Sequence, residues 1–310
     1  MKVYNDISEF GHVAVPVLTT GTFDGVHRGH MQIISRLKES SRSMNGETVI
    51  FTFFPHPRMV LFPDHRQVLL NTLREKTAKL EEAGIDHLII QPFTREFSML
   101  SSKDFIEKIL VEKIHTRKLV IGYDHHFGRN REGSFEHLRN SGPVYGFEVE
   151  EIPAKLIDNV SVSSTRIRHS LEKGDVESAN ANLGYRYPLT GMVVKGRQLG
   201  RTIGFPTANI LVEDPYKLVP ADGVYAVMVK RGNETHKGML NIGMRPTVDG
   251  RERTIEVNIL DFDADLYGET LTLEFVKRLR DEIKFSGLEE LKKQLFADRT
   301  HAMGILENEK

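Results

Sequence analysis

The sequence predicts two joined domains: an α/β unit built on a parallel sheet, then an all-β unit closed by a helix. Three observations predict it. The chain has 310 residues, long for one compact domain and comfortable for two of about 100–200 residues each. Up to about residue 184, apolar runs alternate with segments of helical spacing. Those runs are hydrophobic on both faces, as strands buried under helices on both sides are. Beyond Gly184 the texture changes to short strand-like runs separated by turn residues, the pattern of an antiparallel barrel or sandwich.

In order along the chain, "AVPVLTTG" is a short apolar run ending in glycine, and "MQIISRLKESS" places Ile33, Ile34 and Leu37 on one side of a helix. "TVIFTFF" is a second strand, stopped by Pro55 and Pro57. "TLREKTAKLEEAG" opens with Thr72 and Glu75 at capping-box spacing and closes on Gly84. "HLIIQPF" reads as a strand, "SKDFIEKILVEKI" as a helix and "KLVIGYD" as a strand. The second half supplies strand-like "YPLTGMVVKG", "GVYAVMVKRG", "HKGMLNIG", "RTIEVNIL" and "TLTLEFVKRLR". A last helix begins at "SGLEELKKQL", where Ser286 and Glu289 have capping-box spacing. The expected domains are 1–184 and 185–310.

Composition narrows the function. Hydrophobic residues are 39% and charged residues 27%, with a net charge of −1, a globular profile. Each half is close to neutral, with 23 Lys+Arg against 24 Asp+Glu before the boundary and 19 against 19 after it, so a nucleic-acid partner is not expected. There are no cysteines, which removes disulfides, thiolate zinc sites and Cys nucleophiles and fits a reducing, cytoplasmic setting. No apolar run approaches the length of a membrane span and the N-terminus lacks a signal-peptide core, so no membrane partner is expected. No obligate protein partner is evident either. Of the 13 histidines, 11 fall in the first half.

The stretch "GTFDGVHRGH", residues 21–30, sits where the first strand hands over to the first helix. Ligands of open α/β sheets bind at the carboxyl ends of the strands. Glycines there let backbone approach a ligand, and the helix start offers unpaired N–H groups and positive dipole character. Imidazoles three residues apart lie on one side of a turn. Together these suit a phosphate that gains charge in a reaction. The bland reading is a tight turn with two surface histidines. Other motifs fail: the glycines of "KGRQLGRTIG" lack Walker A spacing, and GxGxxG, HExxH and GxSxG are absent.

"GTFDGVHRGH" resembles the HxGH signature of the nucleotidyltransferase superfamily. With "FTFFPHP", "VIGYDHHFGRNREGS" and "SVSSTRIR", then "GRTIGFPTANI", "GVYAV", "LNIGMRPT", "IEVNILDFDADLYGE" and "LRDEIKF", nearly the whole chain resembles the prokaryotic bifunctional riboflavin kinase/FMN adenylyltransferases. The resemblance implies a Rossmann-like HxGH nucleotidyltransferase domain with a parallel sheet, then an antiparallel β-barrel riboflavin kinase domain with a terminal helix.

For the first domain it implies adenylyl transfer: the phosphate of FMN attacks the α-phosphate of ATP, giving FAD and pyrophosphate. That nucleophile is already anionic, so alignment and charge stabilisation are what the protein must supply. The resemblance makes His27 and His30 donors to the ATP phosphates, with Gly21, Phe23, Asp24 and Gly29 shaping the adjoining loop. It makes Ser163, Ser164, Thr165 and Arg168 the second nucleotide motif; taken alone, "SSTRIR" reads as an ordinary N-cap with an exposed arginine. Phe53, His56 and Phe127 would line the flavin pocket and Asp124 the nucleotide pocket. His125 and His126 depart from the family's aromatic and arginine, which leaves both to face solvent.

For the second domain it implies riboflavin phosphorylation by ATP. The 5′-hydroxyl is a poor nucleophile that benefits from a general base, and Glu256 matches the family's catalytic glutamate. Periodicity alone would put Glu256 on the solvent side of its strand. Thr207 and Asn209 match residues that hold Mg²⁺ with the ATP phosphates, oxygen ligands of the kind magnesium takes. Gly196, Gly200, Gly204 and Pro206 would fold over the nucleotide, and Arg278 lies in the segment that closes on the flavin. An adenylyltransferase whose barrel only binds flavin stays open as an alternative. A tRNA-charging enzyme ranks below both, because the charge is balanced and no KMSKS-like loop is present.

Overall fold

The computed structural model describes the chain except residues 124, 154–161, 197–199, 201–202, 248–249, 308 and 310. It divides into two compact units, Met1–Ser164 and Thr165–Lys310.

The first unit is a six-stranded, all-parallel sheet. Its strands are β1 (Lys2–Tyr4), β2 (Pro16–Thr20), β3 (Glu47–Phe54), β4 (His87–Pro92), β5 (Lys118–Gly122) and β6 (Glu148–Ile152), in the order β1-β4-β3-β2-β5-β6. Strand order runs outward from β2 to one side through β3 and β4, then to the other through β5 and β6. The winding reverses between β2 and β5, and the crevice at their carboxyl ends is the switch point where ligands of such sheets bind. Helices α1 (Arg28–Ser43), α2 (Pro57–Leu61), α3 (Leu73–Glu82), α4 (Arg95–Ser98), α5 (Ser102–Asp104) and α6 (Phe135–Tyr145) complete the unit.

Two-sided burial is what the apolar runs demand. Leu18, Val49, Phe51, Ile89, Leu119 and Ile121 enter one core, while their neighbours Val17, Ile50, Leu88, Ile90 and Val120 enter the other, because successive strand side chains point to opposite faces. Helix α1 adds Ile34 and Leu37 to the second core and leaves Ile33 half-buried. The capping box of α3 is present: Thr72 Oγ1 accepts from Glu75 N at 3.1 Å and Glu75 Oε2 from Thr72 N at 3.0 Å.

Three local readings change. The segment expected as one α-helix passes from α5 into a π turn, Phe105–Val111. Its wider winding seats Phe105, Ile106, Ile109 and Leu110 together in the core. The final helix, α9 (Leu288–Leu306), has Gly287 as its N-cap, and Ser286 pairs with Glu290 rather than Glu289. One residue of offset in the helix start moves the partner by one. Strands β1 and β6 and helix α6, short or mixed in polarity, add to the predicted set.

The second unit is a closed antiparallel barrel, not a sandwich. It comprises β7 (Pro188–Val194), β8 (Ala208–Leu211), β9 (Gly223–Arg231), β10 (Glu234–Thr247), β11 (Gly250–Ile259) and β12 (Thr270–Arg280), ordered β10-β11-β8-β7-β12-β9. Strand β8, four residues long and without alternation, closes the ring between β7 and β11. Tyr187, Tyr225 and Phe275 are fully buried within it.

Helices α7 (Ser164–Glu172) and α8 (Val176–Leu183) precede the barrel. Leu171 belongs to α7, and its carbonyl accepts from Ala221 N at 3.0 Å. Asn180 of α8 donates Nδ2 to Phe275 O and accepts Tyr187 N, both at 2.8 Å. Val176, Ala179 and Leu183 are buried, each large apolar side chain contributing roughly 1.5–3 kcal/mol. A fragment spanning 165–310 is therefore expected to fold and make FMN, and one spanning 185–310 to be several kcal/mol less stable. Equal urea midpoints for the two fragments would remove α7 and α8 from the barrel's folding unit.

Candidate active sites

Between β2 and α1 the backbone takes an unusual path. Phe23, Gly25 and Val26 have φ of +47°, +87° and +35°. For a β-branched residue such as Val26 this is a strained conformation, worth about 1–3 kcal/mol, of the kind surrounding structure must impose. The imposing contacts are specific. Phe23 and Val26 are buried in the second core. Asp24 is buried, and its Oδ1 accepts Leu70 N at 2.9 Å and Asn71 N at 3.3 Å. Thr22 O accepts Lys76 Nζ at 2.9 Å and Thr52 Oγ1 at 3.2 Å. Ser164 Oγ donates to Asp24 O at 2.9 Å.

This path delivers the two imidazoles together. His27 is the N-cap of α1, its Nδ1 accepting from His30 N at 3.3 Å, which leaves the proton of a neutral His27 ring on Nε2. The rings of His27 and His30 stack with centroids 3.7 Å apart and planes 14° from parallel. Burial, then the neighbouring His27 and Lys76, hold His30 well below the usual imidazole range, so at neutral pH it is an uncharged ring. Its Nδ1 is buried without a hydrogen-bond partner among the described residues. Gly21 lies against the Phe23 ring and Gly29 is buried in the first turn of α1. Ser163 and Ser164 stand at the entry to α7, with Thr165 and Arg168 in its first two turns. Asp124 lies outside the described residues.

The turns after β3 and β5 lie at the same carboxyl end of the parallel sheet, on either side of β2. Phe53, next to last in β3, is half-buried, edge-on to Phe93 at 5.5 Å and tilted against Phe97 at 5.8 Å. Sequence reasoning passed over this aromatic pair; Phe93 directly follows β4, and Phe97 lies four residues on in α4. His56 caps α2, its Nδ1 accepting Arg58 N at 3.2 Å. Phe127 is buried, and Gly133 is the residue that admits its ring: a Cβ there would meet Phe127 at 2.6 Å.

His126 is exposed, as expected, but His125 is not. Its ring stacks on Phe127 at 5.9 Å, and its Nε2 is buried without a partner among the described residues. Burial, with His126 and Arg131 nearby, lowers it to about 4. The folded state thus binds fewer protons than the unfolded one between pH of about 6.5 and 4. Burial of His125 therefore carries no protonation cost at neutral pH, and a folding penalty builds as pH falls through this window. Thermal melting of His125→Phe is expected to show a shallower acid decline than the parent chain, and parallel declines would refute the assignment.

In the barrel, the pleat decides where Glu256 points. Ile255, Val257 and Ile259 are buried on one side of β11. Glu256 faces the other way, where the segment before β8 covers it: Thr207 Oγ1 donates to Glu256 Oε2 at 3.2 Å. Asn258, two residues on and buried, donates Nδ2 to Pro206 O at 2.7 Å. Asn258 is a second clasp on the same segment, legible in the sequence only as the same-face neighbour of Glu256. Asn209 pairs with Glu256 across β8 and β11. A Cβ on Gly196 would collide with Asn209 Nδ2, and one on Gly200 with Phe205 O, so neither position admits a side chain without a shift. Gly204, with φ of +83°, turns the chain into Pro206. Arg278 donates to Asp222 O at 2.5 Å and pairs with Asp281 at 2.9 Å.

Known proteins match both parts of the chain. The FAD synthetase family model matches residues 12–166 and the riboflavin kinase family model residues 183–306. The bifunctional riboflavin kinase/FMN adenylyltransferase of Escherichia coli strain K12 is 39% identical over 287 residues, 92% of this chain and 91% of that protein. The enzyme of the same name from Bacillus subtilis is 35% identical, covering 95% and 94%. A solved structure named as a macrolide-efflux protein from Streptococcus pneumoniae has a TM-score of 0.87 at 32% identity, covering 97% of this chain and 98% of that one. Among the described residues no helix is long and apolar enough to cross a membrane. With an FAD synthetase domain and then a riboflavin kinase domain on one chain, and relatives of that double name along nearly its full length, the chain belongs to the bifunctional riboflavin kinase/FMN adenylyltransferases.

Proposed function

We propose that the two activities of this enzyme, phosphorylation of riboflavin to FMN and adenylylation of FMN to FAD, divide between the residues described. At the β2–α1 loop a phosphate oxygen of FMN forms a bond to the α-phosphorus of ATP as the bond to pyrophosphate breaks. His27, through Nε2–H, and the neutral His30 donate to the phosphate oxygens. Gly21, Phe23, Asp24 and Gly29 hold the loop; Ser163, Ser164, Thr165 and Arg168 add donors at a helix start. Phe53, His56 and Phe127 receive the flavin.

In the barrel the 5′-hydroxyl of riboflavin attacks the γ-phosphorus of ATP, ADP leaves, and Glu256 takes the hydroxyl proton. The observation that carries this is the Thr207–Glu256 hydrogen bond of 3.2 Å. It fixes the carboxylate and leaves the Thr207 oxygen lone pairs for another ligand. Thr207 and Asn209 are hard oxygen donors suited to Mg²⁺ together with ATP phosphates, and the ion, when bound, offsets phosphate charge. Gly196, Gly200, Gly204 and Pro206 cover the nucleotide, and Arg278 serves the flavin side. Both reactions are placed in the cytoplasm on small-molecule substrates, without nucleic-acid, membrane or obligate protein partners, in keeping with the balanced charge of both halves and the cysteine-free chain. Incubation with riboflavin, ATP and Mg²⁺, with FMN and FAD followed separately, tests the reading: FMN should appear first and FAD after it.

A further inference from the structure

Helix α3 carries a charge where its pattern calls for a hydrophobe. Leu73, Lys76 and Leu80 share one stripe, and Leu80 is fully buried. Lys76 is only 7% exposed. Its ammonium donates to Thr22 O at 2.9 Å, its one hydrogen bond among the described residues. That carbonyl already accepts the Thr52 hydroxyl at 3.2 Å, so the loop does not need the lysine to satisfy it. The carboxylate of Asp24 attracts the charge but is engaged by Leu70 N and Asn71 N. A buried cation so thinly compensated opposes folding, and an apolar residue of similar length would fit the stripe better.

We propose that Lys76 is a positioning residue for adenylyl transfer, a buried cation behind the β2–α1 loop whose charge offsets that of the nucleotide phosphates arriving in front of it. The proposal rests on the assignment of adenylyl transfer to that loop. Two independent features point to an incoming anion. Lys76 lacks a full set of acceptors for an ammonium that can donate three hydrogen bonds. His30, close enough to be depressed electrostatically by Lys76, buries an Nδ1 that has no partner among the described residues. The groups around Lys76 are Asp24 from the loop and His30 from the first turn of α1, on which His27 stacks. Strand β3 presents Thr52, which does not titrate, and Glu75 on its own helix is engaged in the cap at Thr72.

Burial lowers Lys76 from the usual lysine value to about 8, with Asp24 opposing the shift. The active, charged form is therefore lost as pH rises through about 8. The folding penalty runs the opposite way: the folded state binds fewer protons than the unfolded one between about 8 and the ordinary lysine value near 10.5. Below that window the penalty is complete.

The test uses the full chain, FMN and Mg²⁺–ATP. Lys76→Met is expected to lower FAD formation about 10²-fold, the scale of losing preorganised charge stabilisation, with FMN formation from riboflavin retained and the melting temperature at pH 7 equal or higher. The kcat/KM profile of the parent chain should fall above pH of about 8, and Lys76→Arg should restore activity and carry that limb upward, because a guanidinium does not deprotonate there. FAD formation by Lys76→Met within about threefold of the parent overturns the proposal, as does a loss of activity accompanied by a lower melting temperature, which marks a purely structural lysine. A parent chain that makes FMN but no FAD overturns instead the reading on which the proposal stands.

Discussion

Glu256→Gln is expected to reduce FMN formation by roughly 10²–10⁴-fold, the range associated with a positioned general base. The substitution keeps size and hydrogen-bonding capacity. Thr207 Oγ1 can still donate to the amide oxygen, so the 3.2 Å contact that orients the side chain survives. Thr207, Asn209 and the glycine loop remain for Mg²⁺–ATP, and riboflavin and nucleotide should bind nearly as before. The loss should thus fall on kcat rather than KM, as it does when an interaction belongs to the transition state alone. FAD formation from supplied FMN should be almost unchanged, because that phosphate nucleophile needs no base and reacts in the other unit. Near-normal riboflavin phosphorylation by the folded variant would sink the assignment. A non-catalytic barrel predicts a different result, no FMN formation by the parent chain.

His30→Ala is expected to cut FAD formation by about 10²-fold or more, the cost of removing one preorganised donor from a water-poor site. The ring is held in place from two sides. It stacks on His27 at 3.7 Å and rests against Phe23 at 5.0 Å, and burial suppresses its basicity. The backbone N–H of residue 30 keeps its bond to His27 Nδ1 in the variant, so the start of α1 should persist. FMN formation should continue, because Glu256 and Thr207 sit in the barrel. Equal loss of both activities in a folded protein would contradict two separate sites.

The division between what could be read linearly and what could not follows the range of the interactions. The HxGH spacing, the Thr72–Glu75 cap and the two-sided apolar runs are properties of residues within four positions of one another, and local geometry suffices to interpret them. The change from parallel to antiparallel texture at about Gly184 is likewise written in periodicity. Other features depend on partners far along the chain. Asp24 reads as one more loop residue until Leu70 and Asn71 donate to it across a separation of 46 and 47 positions. Lys76 interrupts the apolar stripe of Leu73 and Leu80, and only the fold shows that α3 turns it under the β2–α1 loop. His125 reads as exposed, and the return of the chain through Gly133 seats the neighbouring Phe127 ring beside its buried Nε2.

Glu256 shows the same limit most sharply. By itself the sequence determined an α/β unit followed by a β unit, a phosphate-suited junction at 21–30, and a carboxylate that alternation assigns to the outer face of a strand. That face is indeed opposite the buried Ile255 and Val257. Only the tertiary structure decided what covers it: β8, too short to declare itself, closes the barrel beside β11 and brings Thr207 onto the carboxylate. Alternation specifies which side of a sheet a residue takes, because that is fixed by the geometry of its own backbone. What stands opposite is set by pairing between strands some fifty residues apart, and no local period encodes that.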